Sequence, residues 1–327
     1  MNKELRWAVL GTGVIANEMA EALHQMGRRL YAVGNRTHEK AVLFGQKHQV
    51  CKVYDHFEEM FSDPQVDVVY ITTPHNTHIR FLEQAIVNRK HVLCEKSITL
   101  NSKELTRAIT LAEENRVVLA EAMTIWHMPL YKKLWKLIEE GSLGKVQLIT
   151  LNFGSFKEYD MANRFFNLNL AGGALLDIGV YALSLMRSFM ASQPDQITSQ
   201  VRFAPTGADE QAGILLQNKE GQMATIALSL HSKQPKRAVI SCEKGYIEIM
   251  EYPRAQQALI VDAATGSRRE ITAGETGKAL QYELEDMERA ILSGNASCMR
   301  LNHTADVMEL MTFLRKKWNM RYPDEIW

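Results

Sequence analysis

Residues Trp7 to Ala16 read WAVLGTGVIA. WAVL is apolar and strand-like, a glycine turn follows at once, and Val14, Ile15, Met19, Leu23 and Met26 then recur on one helical face that stops at Gly27. Strand, glycine turn and helix in that order is the setting in which a GxGxxG-like string binds a dinucleotide. Gly11 makes the tight turn, Gly13 lets the backbone approach a pyrophosphate, and Ala16 replaces the third glycine where helix packs on strand. The phosphates are then expected on the free amides of the helix start, along Thr12, Gly13, Val14 and Ile15.

The same pattern continues outward. Strand-like runs at Leu30 to Val33, Val66 to Thr72, His91 to Cys94 and Val117 to Ala120 alternate with segments of helical period. Such alternation implies right-handed crossovers and a parallel, doubly wound sheet. A chain of 327 residues exceeds a typical single core. Two domains are therefore expected, a dinucleotide-binding unit over 1–122 and a second α/β unit over 123–327.

Composition narrows the function classes. Basic and acidic residues number 38 each, so charge offers no argument for a nucleic-acid or polyanion partner. Cys51, Cys94, Cys242 and Cys298 are scattered and form neither a zinc spacing nor a disulfide framework, which fits a reducing cytoplasm. The N-terminal stretch does not read as a signal peptide, and no run is expected to reach the ~18 apolar residues of a membrane helix.

Candidate functional residues gather at strand ends. After the second run comes Gly34-Asn35-Arg36-Thr37, where an NAD enzyme usually carries an acidic residue for the ribose hydroxyl. A guanidinium at Arg36 suits a 2'-phosphate, which favours NADP with NAD as the other possibility. A solvated Arg36 with Thr37 capping the next helix is the plainer alternative. The run Val66 to Thr72 leads into Thr73-Pro74-His75-Asn76-Thr77-His78, a loop expected to border the cofactor. His75 and His78 have a metal-like spacing, yet no third ligand is placed, so no metal is expected and the pair is left to cap, pack or touch cofactor. Glu95-Lys96 follows the His91 to Cys94 run, again at the ligand edge of the sheet. Asp177 and Tyr181 stand four apart in the otherwise mostly apolar helical stretch Gly172 to Met190 and so share one face. They form either a structural network or a working pair.

These motifs, GTGVIA, TPHNTH, CEKS and GGALLDIGVY, resemble in order those of the glucose-fructose oxidoreductase, inositol dehydrogenase and rhizopine-catabolism family (Gfo/Idh/MocA). AGGALLDIGVY looks closest to its dimeric dihydrodiol dehydrogenase branch. The resemblance implies that Lys96 is the lysine of the family's EKP motif, Asp177 the aspartate of DIG, and Tyr181 the acid/base tyrosine. It also implies a C-terminal α/β domain with an open, mainly antiparallel sheet, one face carrying the site and the other often forming a homodimer. Runs at Val146 to Phe153, Ala212 to Leu216, Met223 to Leu230 and Ala238 to Ser241 suit that sheet. Two departures stand out: Ser97 replaces the usual proline, and Trp126 stands where many relatives have arginine. Trp126, Arg164, Asn167 and Asn169 are candidate substrate contacts.

The chemistry has its own logic. Oxidising a carbinol requires a base with a pKa near the working pH, and a free phenol sits at about 10. A lysine ammonium at ~4 Å in an effective dielectric near 20 favours the phenolate by ~4 kcal/mol, lowering that pKa by about 3 before desolvation is subtracted. The sequence thus reads as an NADP-dependent dehydrogenase for a sugar, polyol or diol, forming a dimer or tetramer. A dinucleotide-binding regulator and an NAD-dependent glycoside hydrolase of the same fold are the alternatives.

Overall fold

The computed structural model describes residues 4–323 and Glu325. It divides into two compact units, the first running to Met123 and including Leu280–Leu301, the second comprising Thr124–Ala279 and the chain from Asn302 onward.

In the first unit, strands β1 (Trp7–Leu10), β2 (Ala32–Gly34), β3 (Lys52–Tyr54), β4 (Val68–Ile71), β5 (His91–Glu95) and β6 (Leu119–Ala122) form one sheet in the order β3-β2-β1-β4-β5-β6. Every pairing is parallel, and β1 and β4 are buried throughout, as expected of strands covered on both faces. Helices α1 (Val14–Gln25), α2 (His38–His48), α3 (Phe57–Ser62), α4 (His78–Val87) and α5 (Ser102–Asn115) make the crossovers. This is the doubly wound order with its switch point between β1 and β4.

The second unit starts with α6 (Thr124–His127) and α7 (Pro129–Glu139). Its eight strands are β7 (Val146–Gly154), β8 (Gln196–Phe203), β9 (Asp209–Gln217), β10 (Met223–Ser229), β11 (Gln234–Cys242), β12 (Gly245–Met250), β13 (Gln257–Asp262) and β14 (Arg268–Thr272). They lie in the order β14-β13-β12-β11-β7-β10-β9-β8, antiparallel except for the parallel β7–β10 pair. The open, mainly antiparallel sheet implied by the motifs is therefore present. Ile149, Leu151, Leu216, Ala224 and Ile226 point to its buried side. A π-helix (Leu175–Gly179) runs directly into α8 (Val180–Phe189).

Two expectations need correction. Residues 123–327 are not one contiguous unit, because α9 (Ala279–Ser293) belongs, from Leu280 on, with the dinucleotide-binding sheet before α10 (Leu301–Lys317) returns to the second unit. Trp7 Nε1 donates to Glu288 Oε1 at 2.7 Å, Arg28 pairs with the same oxygen at 2.7 Å, and Gln281 Nε2 donates to Gln25 Oε1 at 2.6 Å. Secondly, Leu168–Phe189 is long and apolar enough for a membrane span by composition, but 72% of its apolar window is buried inside the protein. That burial makes it a core element.

Candidate active site

In the first unit, Gly11 has φ +110°, and a Cβ there would meet Thr72 Oγ1 at 2.5 Å. Only glycine suits this turn, because both the backbone conformation and the space forbid a side chain. The Gly11 amide donates to Gly34 O at 2.8 Å, tying the turn to the end of β2. Gly13 is the N-cap of α1 and offers no side-chain cap; the place a Cβ would take is open, and Val14 beside it is 80% exposed. Uncapped first-turn amides under an open glycine approach fit the pyrophosphate of a dinucleotide. Beyond β2, Asn35 Nδ2 donates to Thr37 O at 2.9 Å and Arg36 is exposed. Thr37 makes no side-chain cap on α2.

Thr73, Pro74 and His75 lie between β4 and α4, where Thr77 Oγ1 bonds to Thr73 Oγ1 at 2.8 Å and to Pro74 O at 2.7 Å. His75 Nε2 sits 3.0 Å from Lys96 O. His78 Nδ1 is 3.0 Å from Ser97 O, and its Nε2 is 2.7 Å from Thr73 O. Burial lowers the His78 pKa, while the two carbonyls oppose that shift. A neutral imidazole has a single N–H and donates to one of these carbonyls at a time. Further along, the Tyr70 hydroxyl donates to Glu95 Oε1, and the Ile98 amide donates to buried Glu121 Oε1 at 3.1 Å. The Lys96–Ser97 peptide bond is cis. Lys96 thus stands half-buried on a backbone gripped from β4, from the α4 start and from β6.

In the second unit, residues 171–186 are all buried except Asp177 and Tyr181. The π-helix and α8 together leave these two side chains, and no others in that stretch, partly exposed. The Tyr181 ring lies 6.1 Å from Phe153 on β7, which meets Tyr252 edge-on at 5.9 Å. Tyr252 is fully buried, and burial pushes its pKa well up, with Tyr181 adding to the effect. Arg164 Nη2 approaches Asp177 Oδ1 at 4.0 Å, and its guanidinium covers the Phe165 ring at 4.2 Å.

Residues 5–123 match the family described as oxidoreductase, NAD-binding Rossmann fold, and residues 131–248 match the GFO/IDH/MocA C-terminal domain. The chain belongs to the GFO/IDH/MocA oxidoreductases. Among curated relatives, trans-1,2-dihydrobenzene-1,2-diol dehydrogenase of Xenopus tropicalis is 28% identical over 332 residues, covering 97% of this chain and 99% of that protein. The mouse enzyme of the same name is 28% identical, with coverage of 98% and 99%. A solved 3-ketoreductase from Actinomadura kijaniata, in complex with NADP and TDP-benzene, superposes with a TM-score of 0.86 at 19% identity, covering 96% of this chain and 98% of that one. Aldose-aldose oxidoreductase from Caulobacter crescentus superposes at 0.84 and 23% identity, with coverage of 96% and 97%.

Several residues named from the sequence sit differently in this GFO/IDH/MocA chain. His78 is fully buried. Its ring is held between two carbonyls, so it braces the Lys96 backbone. Trp126 is 1% exposed and packs edge-on to His303 at 5.7 Å, the environment of a core residue. Asn167 Oδ1 accepts from the Asn169 amide at 2.9 Å and so shapes its own turn. Among the described residues no three His, Cys, Asp or Glu side chains converge as a metal cage.

Other groups escaped notice. Glu121 and Tyr70 hold the lysine segment, and Asp209, Arg315, Tyr322 and Glu325 surround the start of the π-helix. The one available signal for the latter was Gly172-Gly173, a glycine pair that marks close approach of other atoms.

Proposed function

We propose that this protein is an NADP-dependent dehydrogenase or reductase acting on the CH–OH or C=O group of a sugar, polyol or trans-diol. Supporting the substrate class are the names of the curated relatives and of the solved structures, which act on diols, aldoses and a ketone. NADP over NAD is favoured by Arg36 and by the neutral Asn35 beside it, since a carboxylate there would repel a 2'-phosphate.

In this reading the dinucleotide held by Gly11–Ile15 and Arg36 supplies the hydride exchange. Everything else falls to the chain's own residues. Tyr181 Oη takes the proton from the substrate hydroxyl during oxidation and returns it during reduction. Lys96, braced by His75, His78 and Glu121, favours the phenolate and binds the substrate oxygen. Asp177, with Arg164 beside it, orients a second hydroxyl. The carrying observation is that Asp177 and Tyr181 alone break an otherwise buried run of sixteen residues, 171–186. Two partly exposed polar groups on an otherwise buried helix mark where a ligand can be met.

Oligomerisation is part of the proposal. Leu148 on β7, Leu215 on β9 and Met250 on β12 are 38%, 41% and 48% exposed. By strand register all three lie on the side of the sheet opposite its buried face, so a second copy of the chain covering that face would form a homodimer or higher homo-oligomer.

The test is nicotinamide absorbance with the purified protein, NADP and NAD supplied separately against sugars, polyols and trans-diols, and the reduced cofactors against matching carbonyls. Turnover that prefers NADP is expected. Tyr181→Phe should lose about 10²–10⁴-fold in kcat, the range for removing a positioned acid/base group, while keeping NADPH affinity. A fully active Tyr181→Phe removes Tyr181 from the mechanism. Tight NADPH binding without turnover would favour a regulator, and sugar release without absorbance change a glycoside hydrolase.

A further inference from the structure

We infer that Asp209, at the start of β9, is a positioning residue that, with Arg315, Tyr322 and Glu325, fixes where the Asp177/Tyr181 face stands. The inference rests on the proposed role of Tyr181.

The geometry begins at Asp209. Its Oδ2 accepts from the Leu175 amide at 2.6 Å, the first residue of the π-helix. Its Oδ1 has no hydrogen-bond partner and lies against Gly173, where any Cβ would run into it. Gly173 has φ +139°, so the close approach and the backbone conformation both require glycine. One turn on, the Asp177 amide donates to Gly173 O at 3.2 Å. The carboxylate therefore contacts the backbone that starts the turn bearing Asp177, four residues before Tyr181.

The chain's C-terminal segment completes the anchor. Tyr322 Oη donates to Gly172 O at 3.0 Å. The Arg315 guanidinium lies 4.7 Å above the Tyr322 ring and makes two 2.7 Å hydrogen bonds to Glu325, Nη1 to Oε2 and Nη2 to Oε1. The Tyr322 amide donates to Glu325 Oε2 at 3.2 Å. Arg315 is fully buried, as is Asp209, and Glu325 is 1% exposed. Burial of such groups is costly unless geometry repays it. Here Glu325 pairs with Arg315 directly and Asp209 interacts with it electrostatically, and the cluster meets the chain at three points within four residues, Gly172 O, Gly173 and Leu175 N. A core requiring only stability would be served as well by apolar residues of the same volume, whereas a cluster with fixed donors and acceptors specifies one backbone position.

The deciding experiment uses Asp209→Asn and Tyr322→Phe in the full chain, with kcat, substrate KM, NADPH affinity and Tm measured for each, alone and combined with Tyr181→Phe. Asp209→Asn keeps an acceptor for Leu175 but weakens the hold of Arg315. A displacement on the 1 Å scale lowers kcat by about 10²-fold. We expect such a loss for Asp209→Asn, and about 10-fold for Tyr322→Phe, which removes one hydrogen bond, with KM and NADPH affinity held within about 3-fold. Each change should slow the residual turnover of Tyr181→Phe by clearly less than it slows the wild type, because one of the two positioned groups is already gone. A folded Asp209→Asn with wild-type kcat overturns the inference while a crippled Tyr181→Phe leaves the function standing. Equal losses in the Tyr181→Phe background also overturn it, since they show a role unrelated to that side chain. Should Asp209→Asn fail to fold, Tyr322→Phe decides the matter on the same criteria. A fully active Tyr181→Phe sinks the function reading and this inference with it.

Discussion

The lysine segment of the first unit and the tyrosine helix of the second are both fixed by buried polar side chains, but of different kinds. Lys96 is braced by imidazoles against backbone carbonyls and by Glu121 on an amide. The Asp177/Tyr181 segment is braced by an arginine and two carboxylates, all within a few per cent of full burial. A carbonyl that loses one neutral donor keeps its other lone pair for a neighbour or water, so such a brace fails gently. A buried ion that loses its partner has nowhere to go. The first region should therefore tolerate substitution with loss of alignment, and the second should fail by losing the fold.

The strongest way to break this comparison is Arg315→Met, which leaves Glu325 buried without its cation. It should cost about 3–5 kcal/mol, the range for removing one partner of a buried pair, read as a fall in denaturation midpoint with unchanged m. A loss below ~1 kcal/mol would show that the cluster is neutralised in the native protein and would erase the contrast.

Next comes a pH experiment. Burial raises the Asp209 carboxyl to about 7 from the ordinary 3.8, against the pull of the Leu175 amide and Arg315. The folded protein keeps a proton there that the unfolded chain releases between about pH 4 and 7. The group's contribution to stability is thus complete below pH 4 and is lost as pH rises to 7, at about 1.4 kcal/mol per pKa unit. Asp209→Asn does not titrate, so its Tm relative to wild type should climb from pH 4 to 7 and level off above. A flat difference across that window would mean the carboxyl is ionised throughout. The facing Arg315 guanidinium has its pKa raised, chiefly by its hydrogen bonds to Glu325 against the opposing effect of burial, and stays charged over this range.

The smallest effect is expected at the lysine end. His78→Gln keeps one donor and should cost about 1–2 kcal/mol of stability, the usual penalty of one lost buried hydrogen bond, yet reduce kcat with little change in NADPH affinity. Stability loss as large as that of Arg315→Met would show that the two braces are equivalent.

Much of the first unit was legible because local chemistry specified it. The turn at Gly11–Ala16 needs its glycines where they stand, and five strands of the parallel sheet are apolar runs. Strand β3 was missed since Lys52-Val53-Tyr54 is three residues long and half-exposed. Edge strand β8 and the β12–β14 end of the second sheet alternate too weakly or are too short to stand out, with β8 (QITSQVRF) having no fully buried residue. The four-residue spacing of Asp177 and Tyr181 was visible; the π-helix between them was not, because a widened turn needs no special residue. The charged anchor was hidden for a different reason. Arg315 begins an RKK run that reads as a solvated helix end, and only the return of the C-terminal segment to Gly172 turns it inward.

Helix α9 carries one more consequence. The partner of Trp7 Nε1 is Glu288, 281 residues later in the chain, so the first unit draws its last helix from beyond the entire second sheet. Cutting the chain between the two units would therefore take from the N-terminal one a helix that belongs to it, and the contacts that helix makes are of long sequence separation.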